Sequence, residues 1–169
     1  MKPKNLAYCA LFAAFVAVAA QISIPIQPVP LNLASLAVMA AGILLGAKFS
    51  VISVAVYILI GCVGLPVFSN FRGGITIIAG PTGGYILGYI LIAFVTGFVC
   101  KRTDKLVFAV LSMILGSALC YAAGTLWFCA LTGTSPYVAL AVCVTPFLPA
   151  DLLKIIAAAT IHKKIKWRV

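Results

Sequence analysis

Apolar residues run along this chain in long blocks, and the polar and basic positions between them come as short interruptions. A block of about 20 residues is long enough to cross the hydrocarbon core of a bilayer as an α-helix. The pattern predicts an all-α, polytopic membrane protein with six spans, near 6–24, 31–46, 49–65, 83–100, 106–131 and 138–162. The second and third are short, which suits helices that are tilted, broken or shielded by neighbours. Together the spans predict one transmembrane domain over residues 1–169.

Composition removes the soluble alternative. Of the residues, 64% are hydrophobic and 8% charged, where a soluble domain carries roughly 45–50% and about 25%. A chain of this size cannot hide that much apolar surface behind so little polar cover, so lipid is its solvent.

Twelve Lys and Arg against two Asp and Glu would suit a nucleic-acid binder, but their positions exclude that partner. Lys2, Lys4, Lys48, Lys101, Arg102, Lys105, Lys163, Lys164, Lys166 and Arg168 sit at the ends of apolar blocks. Six spans place these ten residues on one side with both termini, while the opposite loops hold only Arg72 and Lys154 lies within the last span. The excess of positive charge predicts that this side, with both termini, is cytoplasmic. Lys2 and Lys4 before an apolar run resemble a secretory signal, yet the run from Leu6 to Ile24 is longer than a signal core. The first segment is therefore expected to stay as a helix of a multi-pass protein of the cell membrane.

Small residues indicate how the helices pack, because close approach carries much of helix association in lipid. Gly42 with Gly46, Gly84 with Gly88, and Ala10 with Ala14 are each small residues four apart. The glycine pairs suit packing inside one bundle. The first span, with Ala7, Ala10, Ala13, Ala14, Ala17, Ala19 and Ala20, has small residues around most of its circumference. That is more than one internal interface requires, and it suits a smooth face for another membrane protein. The six cysteines are scattered singly with no C-x-x-C pair, so they read as small buried hydrophobes rather than metal ligands.

Ionisable groups inside a span cost about 2.5–3.5 kcal/mol each on insertion scales and are functional candidates by default. Asp151 and Lys154, three residues apart, share one helix face. Pro146 and Pro149 lie just upstream and disturb the helix, leaving carbonyls free to face a cavity. The pair suits either a ligand site or a structural ion pair between helices. A second candidate is the outer loop Pro66 to Thr82, PVFSNFRGGITIIAGPT, which is too apolar for a solvated connector and suits a lid on the bundle. Gly73 and Gly74 let it bend. Arg72 suits an arriving anionic group, or a headgroup anchor. The Gly80 to Gly84 run lacks the Lys-Ser/Thr of a phosphate loop and instead starts the fourth span.

Catalytic machinery is not apparent. His162, the only histidine, stands beside Lys163 and Lys164 at the cytoplasmic end, far from Asp151, so no triad or metal centre is expected. What remains is Asp151 as acceptor, Lys154 and Arg72 as donors, and aromatic walls from Phe68, Phe71, Tyr85, Tyr121 and Trp127. That set suits capture of a small polar molecule with an apolar body. A small intramembrane enzyme acting on a lipid or isoprenoid, with Asp151 as base, lacks a second catalytic group. A structural or assembly factor would rest on the alanine face.

Three segments, QISIPIQPVPLNL, GLPVFSNFRGGITIIAGPTGGYILGY and PFLPADLLK, resemble in order and spacing the BioY family of biotin transporters, the S components of energy-coupling factor (ECF) transporters. The resemblance implies a six-helix bundle that binds biotin as transported substrate, with no cofactor of its own. It matches Asp151 and Lys154 to biotin-binding residues, places Asn70 and Arg72 in the substrate-closing loop, and matches Ala10 and Ala14 to the surface that meets the transmembrane coupling subunit. With no Walker motif here, ATP hydrolysis is expected from two partner ATPases. Two positions depart from the family pattern: Ala34 stands where Gln is frequent, and Ala150 where Gly is usual.

Overall fold

The computed structural model describes residues 3–26 and 28–164. Lys2, Lys166 and Arg168 of the basic clusters lie outside the described residues. Helix α1 (Pro3–Gln21) leads into a two-stranded antiparallel hairpin, β1 (Ser23–Ile24) and β2 (Leu31–Asn32), and then into α2 (Ala34–Cys62). A short α3 (Ile75–Ala79) precedes α4 (Gly83–Arg102) and α5 (Leu106–Thr132). The last stretch is α6 (Pro136–Cys143), a 3-10 turn (Thr145–Phe147) and α7 (Leu148–Lys164). Among the described residues, five helical stretches are long and apolar enough to cross a membrane: α1, α2, α4, α5 and the run Pro136–Lys164.

The hydropathy pattern divides 31–65 into two spans, and α2 is likewise interrupted at Gly46, whose φ of 72° and ψ of 173° are non-helical. The two ends of α2 meet. Asn32, just before the helix, donates from Nδ2 to Ser69 Oγ at 2.6 Å, and the carbonyl of Gly61, near its other end, accepts from the Gly74 amide at 2.7 Å. A straight helix of 29 residues would hold its ends about 43 Å apart. The chain therefore doubles back at Gly46, a conformation that suits glycine because a Cβ is strained at positive φ. The turn packs beside Gly97 and the Lys101 stem.

Long-range contacts define two ends of the bundle. At one, Gln21, Asn32 and the 66–72 loop meet, and Trp127 Nε1 donates to the Gly80 carbonyl at 3.0 Å. At the other, Gly46 lies against Lys101, and His162 Nε2 stands 3.3 Å from the Asp104 carbonyl. His162 is buried there. Helices α2, α4 and α5 pack closely because small residues face large ones. A Cβ at Gly42 would touch Thr96 at 3.0 Å, and one at Gly88 would overlap the Cys120 sulfur at 2.6 Å. Both glycine pairs thus serve packing within the bundle. Leu111, Ile114, Leu115 and Leu119 on α5, and Leu152, Leu153 and Ile156 on α7, point outward, as lipid-facing positions should.

Candidate functional site

The last helical run is interrupted where the prolines predict it. Pro146 lies in the 3-10 turn and Pro149 in the first turn of α7. This break starts a new helix inside the bundle and puts Asp151 in its first turn, where the free N–H groups and helix dipole favour a carboxylate. Lys154 Nζ sits 2.9 Å from Asp151 Oδ1, with both side chains buried. Lys154 also donates to Ser35 Oγ at 3.1 Å, and the Tyr121 hydroxyl donates to Asp151 Oδ2. Helices α2, α5 and α7 therefore converge on one ion pair, which meets the requirement that a buried charge be paired and hydrogen-bonded.

Asp151, Lys154, Ser35 and Tyr121 line a small inner cavity with Val29, Asn32, Tyr85, Tyr89, Ser117 and Phe147. Asn32, Tyr85 and Tyr89 also line a second cavity of about 550 Å³, which continues past Phe68, Asn70, Arg72 and Phe128. The two form one cleft, with the ion pair at its floor and Arg72 at its mouth. Its volume lies within the range of small-molecule sites, roughly 300–1,000 Å³. Tyr85 is buried, and its hydroxyl lies 3.1 Å from Thr125 Oγ1.

The 66–82 loop folds onto the bundle through Phe68, which is buried edge-on against Tyr57 at a centroid distance of 5.6 Å. A Cβ on Gly61 would lie 2.1 Å from the Phe68 ring, so only glycine leaves that seat open. Phe68 and Arg72 pair as an antiparallel bridge around Asn70 and Phe71, both at positive φ. The Ser23 hydroxyl donates to Asn70 Oδ1 at 2.9 Å, tying the β-hairpin to the loop. Arg72 is exposed.

The structure brings Asp151, Lys154, Tyr85, Asn70 and Arg72 to one cleft. Ala10 and Ala14 are exposed on α1 and stand apart from the residues lining it. Among the expected aromatic walls, Phe71 is 72% exposed and Trp127 spends its N–H on Gly80, so neither lines the cleft. Tyr89, Phe128 and Phe147 take those places. Sequence reasoning also missed Gln21, Asn32 and Ser35. Gln21 Nε2 reaches the carbonyls of Pro66 and Phe68 at 3.3 and 3.2 Å. Asn32 Oδ1 caps the Ala34 amide at 3.0 Å and accepts from the Tyr89 hydroxyl at 3.2 Å. Ala34 is fully buried, so polar groups at this turn come from Asn32 and Ser35.

Known proteins share this sequence and architecture. The chain is 37% identical over 168 residues to "Biotin transporter BioY" of Thermotoga maritima, covering 96% of each. It is 36% identical over 166 residues to "Probable biotin transporter BioY" of Pyrococcus horikoshii, covering 98% of each. A solved S-component for biotin from an ECF-type ABC transporter superposes with a TM-score of 0.88 at 29% identity, covering 96% of this chain and 90% of that one. The family model for BioY matches residues 1–169. The chain belongs to the BioY family.

Proposed function

We propose that this protein is the biotin-binding S component of an ECF transporter, with biotin as cargo and no cofactor. The observation that carries the reading is the buried Asp151–Lys154 pair at the floor of a cleft whose mouth holds Arg72. Biotin has a ureido ring at one end and a carboxylate at the other. Asp151 accepts a ureido N–H, Lys154 donates to the ureido carbonyl, and Arg72 pairs with the carboxylate as the loop around Asn70 closes. Tyr85 and its aromatic neighbours pack against the apolar body. Membership of a family of transporters sets aside the intramembrane enzyme acting on a lipid or isoprenoid.

In this reading residues 1–169 form one domain that crosses the cell membrane six times, the two limbs of α2 each counting once, with both termini cytoplasmic. The exposed Ala10–Ala14 face of α1 receives the transmembrane coupling subunit, and two ABC-type ATPases supply the energy. The decisive experiment is equilibrium binding of labelled biotin to the protein purified in detergent. Saturable binding with unaltered biotin recovered supports the reading. Absence of binding by correctly folded protein would sink it.

A further inference from the structure

Three buried side-chain polar atoms among the described residues have no hydrogen-bond partner: Thr96 Oγ1, Ser117 Oγ and His162 Nδ1. Thr96 is pressed against Gly42 between α2 and α4, and the other ring nitrogen of His162 lies at the Asp104 carbonyl. Ser117 differs, because it lines the inner cavity with Asp151 and Lys154.

A serine inside a helix ordinarily turns its hydroxyl back to a carbonyl of the preceding turn. Ser50, Ser53 and Ser112 do so here, donating to Gly46, Phe49 and Ala109. Ser117 is 7% exposed and makes no such bond. It lies four residues before Tyr121 on α5, on the same helix face, and Tyr121 donates to Asp151. Helix α5 rises from the basic end while α7 descends to it, so Ser117 and Lys154 are each about one turn deeper than Tyr121 and Asp151. Ser117 thus stands at the floor of the cleft with its hydroxyl unspent.

We propose that Ser117 is a specificity residue whose Oγ accepts a hydrogen bond from the second ureido N–H of the bound ligand; this rests on the biotin reading. Arg72 at the mouth orients the carboxylate outward, which sends the ureido ring to the floor. That ring presents two N–H donors and one carbonyl. Asp151 takes one donor and Lys154 the carbonyl, which leaves one N–H without a partner from the ion pair. The buried hydroxyl completes the set. A cyclic urea fills all three places, whereas a ring lacking the second N–H leaves Ser117 buried and unpaired, which disfavours it.

The test is binding of biotin and of dethiobiotin, which keeps the ureido ring and lacks the thioether, to the wild type and to Ser117→Ala. We expect roughly 3- to 12-fold weaker binding of both ligands to the variant. The ligand-free variant should melt at the same temperature or higher, since it loses an unsatisfied polar group. Unchanged affinity, a loss confined to biotin, or a lower melting temperature with affinity kept would each overturn the assignment. Wild-type protein that binds neither ligand would instead overturn the biotin reading, independently of Ser117.

Discussion

Gln21 accepts the Phe71 amide at 3.0 Å with Oε1 while its Nε2 reaches the Phe68 carbonyl at 3.2 Å. One side chain at the end of α1 therefore braces both arms of the tight turn that presents Asn70. Replacing it by Leu, of similar size but without hydrogen bonds, removes contacts contributing about 0.5–1.5 kcal/mol each. We expect biotin to dissociate roughly tenfold faster from Gln21→Leu, with the melting temperature lowered by a few degrees. A displacement time course measures it, and an unaltered off-rate would show that the loop is positioned without Gln21.

Asp151→Asn should weaken biotin binding by about 1–3 kcal/mol, because a charged acceptor is lost and Lys154 stays buried without its counter-ion. Lys154→Met alone should also destabilise the fold by leaving Asp151 unpaired. The double variant Asp151→Leu with Lys154→Met should recover thermal stability but not binding, since an apolar pair of matching volume replaces a buried ion pair at little cost. If the double variant bound biotin, the pair would be structural.

Arg72→Ala should weaken biotin more than biotin amide, whose tail carries no charge. The ratio of the two affinities should contract towards one, by up to about tenfold for a contact contributing ~1.4 kcal/mol. Loss of a headgroup anchor would lower both affinities equally. A thermodynamic cycle over two ligands and two proteins isolates the direct contact.

Ala10→Trp or Ala14→Trp should leave biotin binding by the isolated protein intact. Both positions are exposed among Leu6, Leu11, Phe15 and Val18, while Cys9, Ala13, Val16 and Ala20 face inward. Uptake in cells and co-purification with the coupling subunit should fall. Equal loss of binding would mean that the bulk disturbs the bundle itself.

For the orientation, single cysteines at Phe71 and at Lys48 in a cysteine-free background should label from opposite sides, Phe71 from outside and Lys48 only after permeabilisation. Both positions are exposed. Reversed labelling would refute the assignment of the basic side to the cytoplasm.

The parts of this protein legible in its sequence are those that a single residue type can signal. Pro146 and Pro149 lack backbone donors and forecast the break that opens before Asp151. A carboxylate and an ammonium three residues apart in an apolar block announced a paired charge, and the structure holds them at 2.9 Å. Arg72 stands out as the sole basic residue of the loops expected to lie outside. Residues such as Ser35, Asn32, Tyr89 and Ser117 carry no such mark. Each is one neutral polar side chain on its own element, and what groups them is the convergence of α2, α4 and α5, which depends on where small residues let helices approach. The turn within 31–65 falls at Gly46, the last residue of the expected span 31–46, where positive φ decides it. The β-hairpin escaped because two-residue strands leave too little periodicity to read.

The joining of Asp151 to Lys154 also has an electrical consequence. A transmembrane potential of 100 mV acts on one elementary charge carried fully across with about 2.3 kcal/mol. A lone carboxylate on α7 would make every displacement of that helix along the bilayer normal voltage-dependent, driven in one direction and opposed in the other. The pair is a dipole with no net charge, so the field exerts no net force on it. The pair itself therefore adds no voltage dependence to a displacement of this part of α7.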